Sequence, residues 1–373
     1  MKQSRRLSLY WKVIIAVVLV VVILNLLALS NSFCDFYVDN IFPAWINTFG
    51  RFSNLFGFSL GEKMIIAGIL LVLVAVVSAI LLIFLRKKAG YRKYARIFFK
   101  SFLGVIAWIL LVMTLNCSIL YGCSEMSFSE ESSTKEYTLE ELENLRNMLV
   151  KKCNELAVQM ERDEYGYVVY SGDLTRVSID AMRGISNEFP RLAGYYPGVK
   201  AIDASVFMTQ TYTSGVFFPF SMEANYNDMM YIVNYPAVIC HEYSHLKGYI
   251  LEDESNFIAY LACINSDDPF VQYSGYSSVL GYVDDAYFEN AGIDRYLEQP
   301  AVDGLVWYDY IFLTPENWEV VEEESSLDTE KVDEASDAFT DNTLKFFGVE
   351  DGIISYDRVT ELLLEYYSER GEI

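Results

Sequence analysis

The chain has 373 residues, 53% of them apolar, and 51 Asp and Glu against 28 Lys and Arg, which allows one good-sized core with apolar residues to spare. Residues 1–121 carry 13 basic and 3 acidic side chains, a net of +10, and the remainder carries −33. That split predicts a basic arm joined to an acidic body, and the body's charge repels phosphate backbones and anionic lipid surfaces, which disfavours a nucleic-acid role.

The surplus apolar residues lie in three runs. Val13–Leu29, Met64–Leu85 and Phe102–Leu120 contain no charge, and each is long enough to cross a hydrocarbon core of roughly 30 Å at about 1.5 Å per helical residue. The first run exceeds the about 7–15 residues of a secretory h-region and lacks a clear small-x-small exit, so it reads as an uncleaved span. Lys2, Arg5, Arg6 and Lys12 precede it, and the short loop 86–100 between the second and third spans carries seven more basic residues. The loop 30–63 has only Arg51 and Lys63 against Asp35, Asp39 and Glu62. The positive-inside rule therefore predicts a multi-pass cell-membrane protein with a cytoplasmic N-terminus and an extracytoplasmic C-terminal domain. The expected division is a three-span anchor over 1–121, a polar linker over 122–137 and a domain over 138–373. The six cysteines show no Cys-x-x-Cys pair. In this topology Cys34 and Cys123 both fall just outside the membrane, where a disulfide is one reading and buried free thiols the other.

Beyond the linker, Thr138 followed by Glu141 has the form of a capping box, and Leu139, Leu142, Leu145 and Leu149 continue at helical spacing. A second helix is expected in 174–194 from Leu174, Val177, Ala181 and Ile185, with Gly184 inside it. Residues 198–227 are β-branched and aromatic, broken by Gly215 and Pro219; because proline is tolerated at a sheet edge, 214–220 reads as an edge strand. Helical character returns over 228–263, interrupted at Gly248, then come an acidic loop at 322–337 and a last amphipathic helix at 355–367. The fold class is α+β, mainly helical, with a small β-sheet.

Both histidines of the chain stand in "HEYSH", His241 to His245. Residues four apart on a helix share a face, so both imidazoles can aim at one Zn²⁺, and Glu242 is placed to take a proton from water activated by the metal. The alternative is an ordinary buried helix. A hydrolytic zinc site needs a third protein ligand, and without a third histidine it must be a carboxylate. If Gly248 ends the first helix, "EDESNFIAYLACI" begins a second that packs back beside it. Glu252 and Glu254 lie about 200° apart on that helix, so one at most faces the metal. Asn256 precedes an apolar run and shares the face of Glu252, where it can accept a hydrogen bond from the far nitrogen of a ligating histidine, so Glu252 is preferred and Glu254 is the alternative. Acids that merely complement a helix N-terminus are the plainer reading.

"HEYSH" followed by "EDESNF" resembles the gluzincin pattern, His-Glu-x-x-His and then Glu-x-x-Ser/Ala-Asp/Asn on the next helix. The resemblance implies His241, His245 and Glu252 as zinc ligands, Glu242 as base and Asn256 as support, with the neutral amide making its histidine less basic than an aspartate would. The three spans with "PFSMEAN", "HEYSHLKG", "EDESNF", "YSGY" and "SYDRV" are similar to an uncharacterised bacterial membrane family, a domain of unknown function. Gluzincin-like sites commonly add a Tyr or His for the oxyanion. No histidine remains here, which leaves Tyr273, Tyr276, Tyr356 or Arg358. The expected function is that of a zinc metallopeptidase on a zincin-like domain, acting on a peptide or protein outside the cytoplasm and held in lipid by three spans. The rival is a non-catalytic zinc-binding membrane receptor or assembly factor.

Overall fold

The computed structural model describes residues 7–128, 137–350, 352 and 358–373. The apolar runs form α1 (Leu9–Leu27), α5 (Leu60–Leu85) and α6 (Ala89–Met113), the last continued by a π-helical turn at Thr114–Ser118 and a 3-10 turn at Leu120–Gly122. All three are long and apolar enough to cross a membrane. The basic segment 86–100, expected as a loop, is only a turn at 86–88; the rest is the start of α6. Its Lys, Arg and Tyr residues are acceptable helix formers with no proline among them, so the helix extends past the apolar stretch.

Residues 30–59 fold into α2 (Asn31–Asn40), α3 (Phe42–Trp45), a π-helical turn at Ile46–Gly50 and α4 (Arg51–Ser53). Cys34, Tyr37, Val38, Phe42 and Ile46 enter the same hydrophobic core as Leu145, Tyr243, Leu246 and Phe257 of the body. Arm and body are also joined by polar contacts. The buried carboxylate of Glu223 accepts the backbone N–H groups of Leu60 (3.2 Å) and Gly61 (2.8 Å), the first residues of α5, and is paired with Lys200. Glu62 accepts the N–H of Ala204 at 2.9 Å, and Asn116 Nδ2 donates to the Pro219 carbonyl at 2.7 Å. All six cysteines are free; Cys34 Sγ donates instead to the Ala28 carbonyl at 3.5 Å.

The body begins with α7 (Leu139–Ala157), whose capping box forms as expected between Thr138 and Glu141. Helix α8 (Leu174–Gly184) stops at the glycine, earlier than its periodicity suggests, and a 3-10 turn follows at Pro190–Leu192. The β-like segment yields β1 (Lys200–Ala201), β2 (Gly215–Phe218) and β3 (Glu223–Tyr226), in the order β1-β3-β2. Strand β2 pairs antiparallel with β3, Gly215 facing Tyr226 and Phe218 facing Glu223, and its other side is a free edge. Between β1 and β2 the chain makes a short helix, α9 (Ser205–Gln210), where β structure was expected; its Met208 packs with Ile202 and Phe218 in a small separate cluster.

Next come α10 (Tyr235–Leu246), α11 (Glu252–Ile264), α12 (Pro269–Leu297), α13 (Gly304–Asp309), α14 (Pro315–Glu324), α15 (Thr329–Phe346) and α16 (Val359–Glu369). The acidic stretch 322–337 is therefore mostly helical. Asp328 caps α15 by accepting the Lys331 N–H, and an acid in the first turn complements the helix dipole.

Gly248 has φ +92°, and a Cβ on it would stand 2.2 Å from Val38 Cγ2 of the arm. Gly248→Ala is therefore expected to cost about 1–3 kcal/mol from backbone strain alone, with crowding adding to it. Denaturant unfolding of the full chain in detergent measures this loss.

Candidate metal centre

Helix α10 starts with a proline in its first turn, which suits the fixed φ of that residue. It is buried on most of its faces and ends where Gly248 turns left-handed, with the Gly248 N–H donating to the His245 carbonyl (3.0 Å) and the Tyr249 N–H to that of Ser244 (3.1 Å). The chain extends through Leu251 and reverses into α11. That reversal sets the first turn of α11, with Glu252, beside the last turns of α10, with His241 and His245.

The two imidazoles stand nearly perpendicular, with centroids 4.6 Å apart. Glu252 Oε2 lies 3.1 Å from His241 Nε2 and 3.5 Å from His245 Nε2. One ligand atom from each of the three falls within 4.8 Å of the others. The far ring nitrogens are held from behind. His245 Nδ1 donates to the Tyr249 carbonyl at 2.9 Å, with Ser255 Oγ 3.1 Å away, and His241 Nδ1 donates to Asn256 Oδ1 at 2.8 Å. A carbonyl only accepts, so in each neutral imidazole the proton sits on Nδ1 and the lone pair on Nε2 points at Glu252. Asn256 thus stands where the spacing placed it.

Burial favours a neutral His245, but the adjacent Glu252 outweighs it and pushes its pKa up to about 9. Burial likewise opposes ionisation of Glu252, yet His245 and His241 hold its carboxyl well below the ordinary range. Glu242 is different. Burial pushes it up to about 7, with the two histidines pulling against that and Glu252 reinforcing it, and its Oε2 is buried with no hydrogen-bond partner among the described residues. Strand β2 lies directly against this carboxyl: a Cβ on Gly215 would come within 2.5 Å of Glu242 Oε1.

The trio and Glu242 line a cleft of about 970 Å³. One wall is the free-edge strand β2, another is formed by α12 and residues 309–312, and α15 borders it with Ser336, Asp337, Thr340 and Thr343. Glu254 is on the other side of α11, where its buried carboxyl accepts the Met126 N–H at 2.6 Å and borders a separate groove of about 990 Å³. The half-turn offset between the two glutamates thus leaves Glu252 alone with the histidines.

The oxyanion candidates fare otherwise. Tyr273 is buried and donates to Asp309 Oδ2 at 2.7 Å, sharing that carboxylate with Tyr231 and Arg162. Tyr276 packs edge-on against Tyr260 in the core, and Arg358 pairs with Asp253 at 3.1 Å. None of the three borders the cleft, and Tyr356 lies outside the described residues. The tyrosines that do border it are Tyr121, Tyr212, Tyr282 and Tyr310. Among 28 tyrosines nothing in the local sequence marks these four, because their positions are set by helices far apart along the chain.

No curated protein and no solved structure matches the chain. A family described as "protein of unknown function (DUF3810)" matches residues 37–364, a range that holds the trio, Glu242 and Asn256, and the chain belongs to that family.

Proposed function

We propose that this protein is a membrane-anchored zinc metallopeptidase with a zincin-like body outside the cytoplasm, ligated through His241, His245 and Glu252. The observation that carries this reading is the convergence of two Nε2 atoms and one carboxylate oxygen at the wall of an open cleft, beside a buried glutamate with an unpaired oxygen. The donor set suits zinc, and three protein ligands beside open space match a hydrolytic site better than a closed structural one. Among the described residues, no fourth His, Cys, Asp or Glu joins the group. This weighs against the structural-zinc reading of a receptor or assembly factor.

A zinc ion held there supplies Lewis acidity, lowering the pKa of water towards ~7 and polarising a carbonyl. Glu242 takes the proton of the attacking water as the C–O bond forms and delivers it to the amine as the C–N bond breaks. Strand β2 offers unpaired backbone groups along its free edge, so a substrate chain can add to the sheet in extended form. Gly215 lets that edge approach the base. The extracytoplasmic placement rests on the basic residues at 86–100, at the far end of the spans from the body.

The full chain is the material to test, because residues 30–59 complete the core of the body. The purified wild type is expected to hold about one zinc per chain, with the metal lost in His245→Ala and Glu252→Ala and kept in Glu254→Ala, as read by elemental analysis. Glu242→Gln is expected to keep the zinc while hydrolysis of a peptide library falls by about 10²–10⁴-fold; undiminished turnover would sink the assignment. Gly215→Ala is expected to destabilise the chain by about 1–3 kcal/mol, and a double-mutant cycle with Glu242→Ala, which vacates the space, is expected to recover more than about 0.5 kcal/mol of it.

A further inference from the structure

We infer that the substrate of this cleft is the juxtamembrane segment of a membrane-anchored polypeptide, entering as an extended chain where it leaves the bilayer. The inference rests on the peptidase reading and adds a substrate class to it. Its basis is where the cleft meets the spans. Met113, Cys117 and Tyr121, from the last turns of the third span, line the same cleft as His241, His245 and Glu252. These turns are level with the end of the first span, because Asn25 Nδ2 donates to Thr114 Oγ1 at 3.0 Å. With the three helices crossing a bilayer in the proposed orientation, the floor of the cleft lies at the outer ends of the spans.

The free-edge strand is anchored at the same level. Its last residue, Phe218, packs so closely on the start of the second span that a Cβ on Gly61 would lie 2.3 Å from the ring. Just beyond it, the Pro219 carbonyl is held by Asn116, and the Phe220 ring lies 5.5 Å from that of Trp108 on the third span. The other end of the strand, Gly215, touches Glu242. So β2 runs from the membrane boundary to the base in four residues, roughly 10–13 Å at about 3.3 Å per residue. A chain leaving the bilayer and pairing with that edge reaches the zinc ligands within a few residues of its own span. The opposite wall is fixed at the same height, since Phe347, just after α15, stacks on Tyr121 with centroids 4.8 Å apart. Hydrolysis there consumes one water: the amide C–N bond breaks, a C–O bond forms, and the proton goes through Glu242 to the new amine. One product stays in the membrane and the other leaves.

Confinement to the bilayer raises effective concentration, so anchored and soluble forms of one peptide should differ greatly. The test reconstitutes the full zinc-loaded chain in phosphatidylcholine–phosphatidylglycerol vesicles. One probe is a randomised peptide carrying photoreactive leucine, joined to a single apolar helix of about 20 residues; the other is the same peptide without the helix. The anchored probe is expected to be cut at least about 10²-fold faster, with cuts close to its helix. In Glu242→Gln it is expected to photo-crosslink to residues 113–121 or 214–220. Equal rates, or cuts independent of distance from the helix, would overturn the substrate class while leaving the peptidase reading intact. If neither probe is cut, the peptidase reading fails, and the crosslink decides the ligand class: formed only with the anchored probe it upholds the class, and absent it overturns it.

Discussion

The left-handed turn at Gly248 holds the candidate site together. It ends α10 one turn after His245, lets the chain reverse through Leu251, and starts α11 with Glu252 facing both imidazoles. The same position needs a missing side chain for a second reason, since Val38 of the arm occupies the space where a Cβ would be. One residue thus carries both a backbone requirement and a packing requirement. The carbonyl that orients His245 belongs to Tyr249, the next residue along, so the turn that brings the three side chains together also sets the tautomer of one of them.

The second constraint is that the membrane arm and the body share a core. A buried carboxylate such as Glu223 is costly unless paired and hydrogen-bonded, and here it has Lys200 and the first two amides of the second span. Removing Lys200 would leave an uncompensated charge and removing the amides would leave carboxylate oxygens short of hydrogen bonds, so the sheet and the start of α5 are positioned together. The cleft is therefore held at a definite position relative to the three long apolar helices.

Glu242 and Glu252 lie close together, yet their environments push them in opposite directions. Glu252 has two imidazoles in front of it and stays ionised despite burial. Glu242 faces a glycine strand and an unfilled hydrogen-bonding position, and burial dominates.

Features governed by short spacing were legible in the sequence alone. They include the three apolar runs, the Thr138–Glu141 box, the helical pairing of His241 with His245, the break at Gly248 and the edge position next to Pro219. Each depends on residues a few positions apart, where helix and strand periodicity decide the outcome. The half-turn offset between Glu252 and Glu254 was also readable, and Asn256 favoured Glu252, but the packing of α11 against α10 is what sets Glu252 beside the histidines. Contacts between distant segments were not legible. Tyr273 and Tyr276 went to the core while Tyr121 and Tyr310 reached the cleft, the segment 30–59 joined the body, and the end of α6 with the turns after it came to line the cleft. These outcomes depend on which surfaces meet, and local composition carries no record of that; only the tertiary structure decides them.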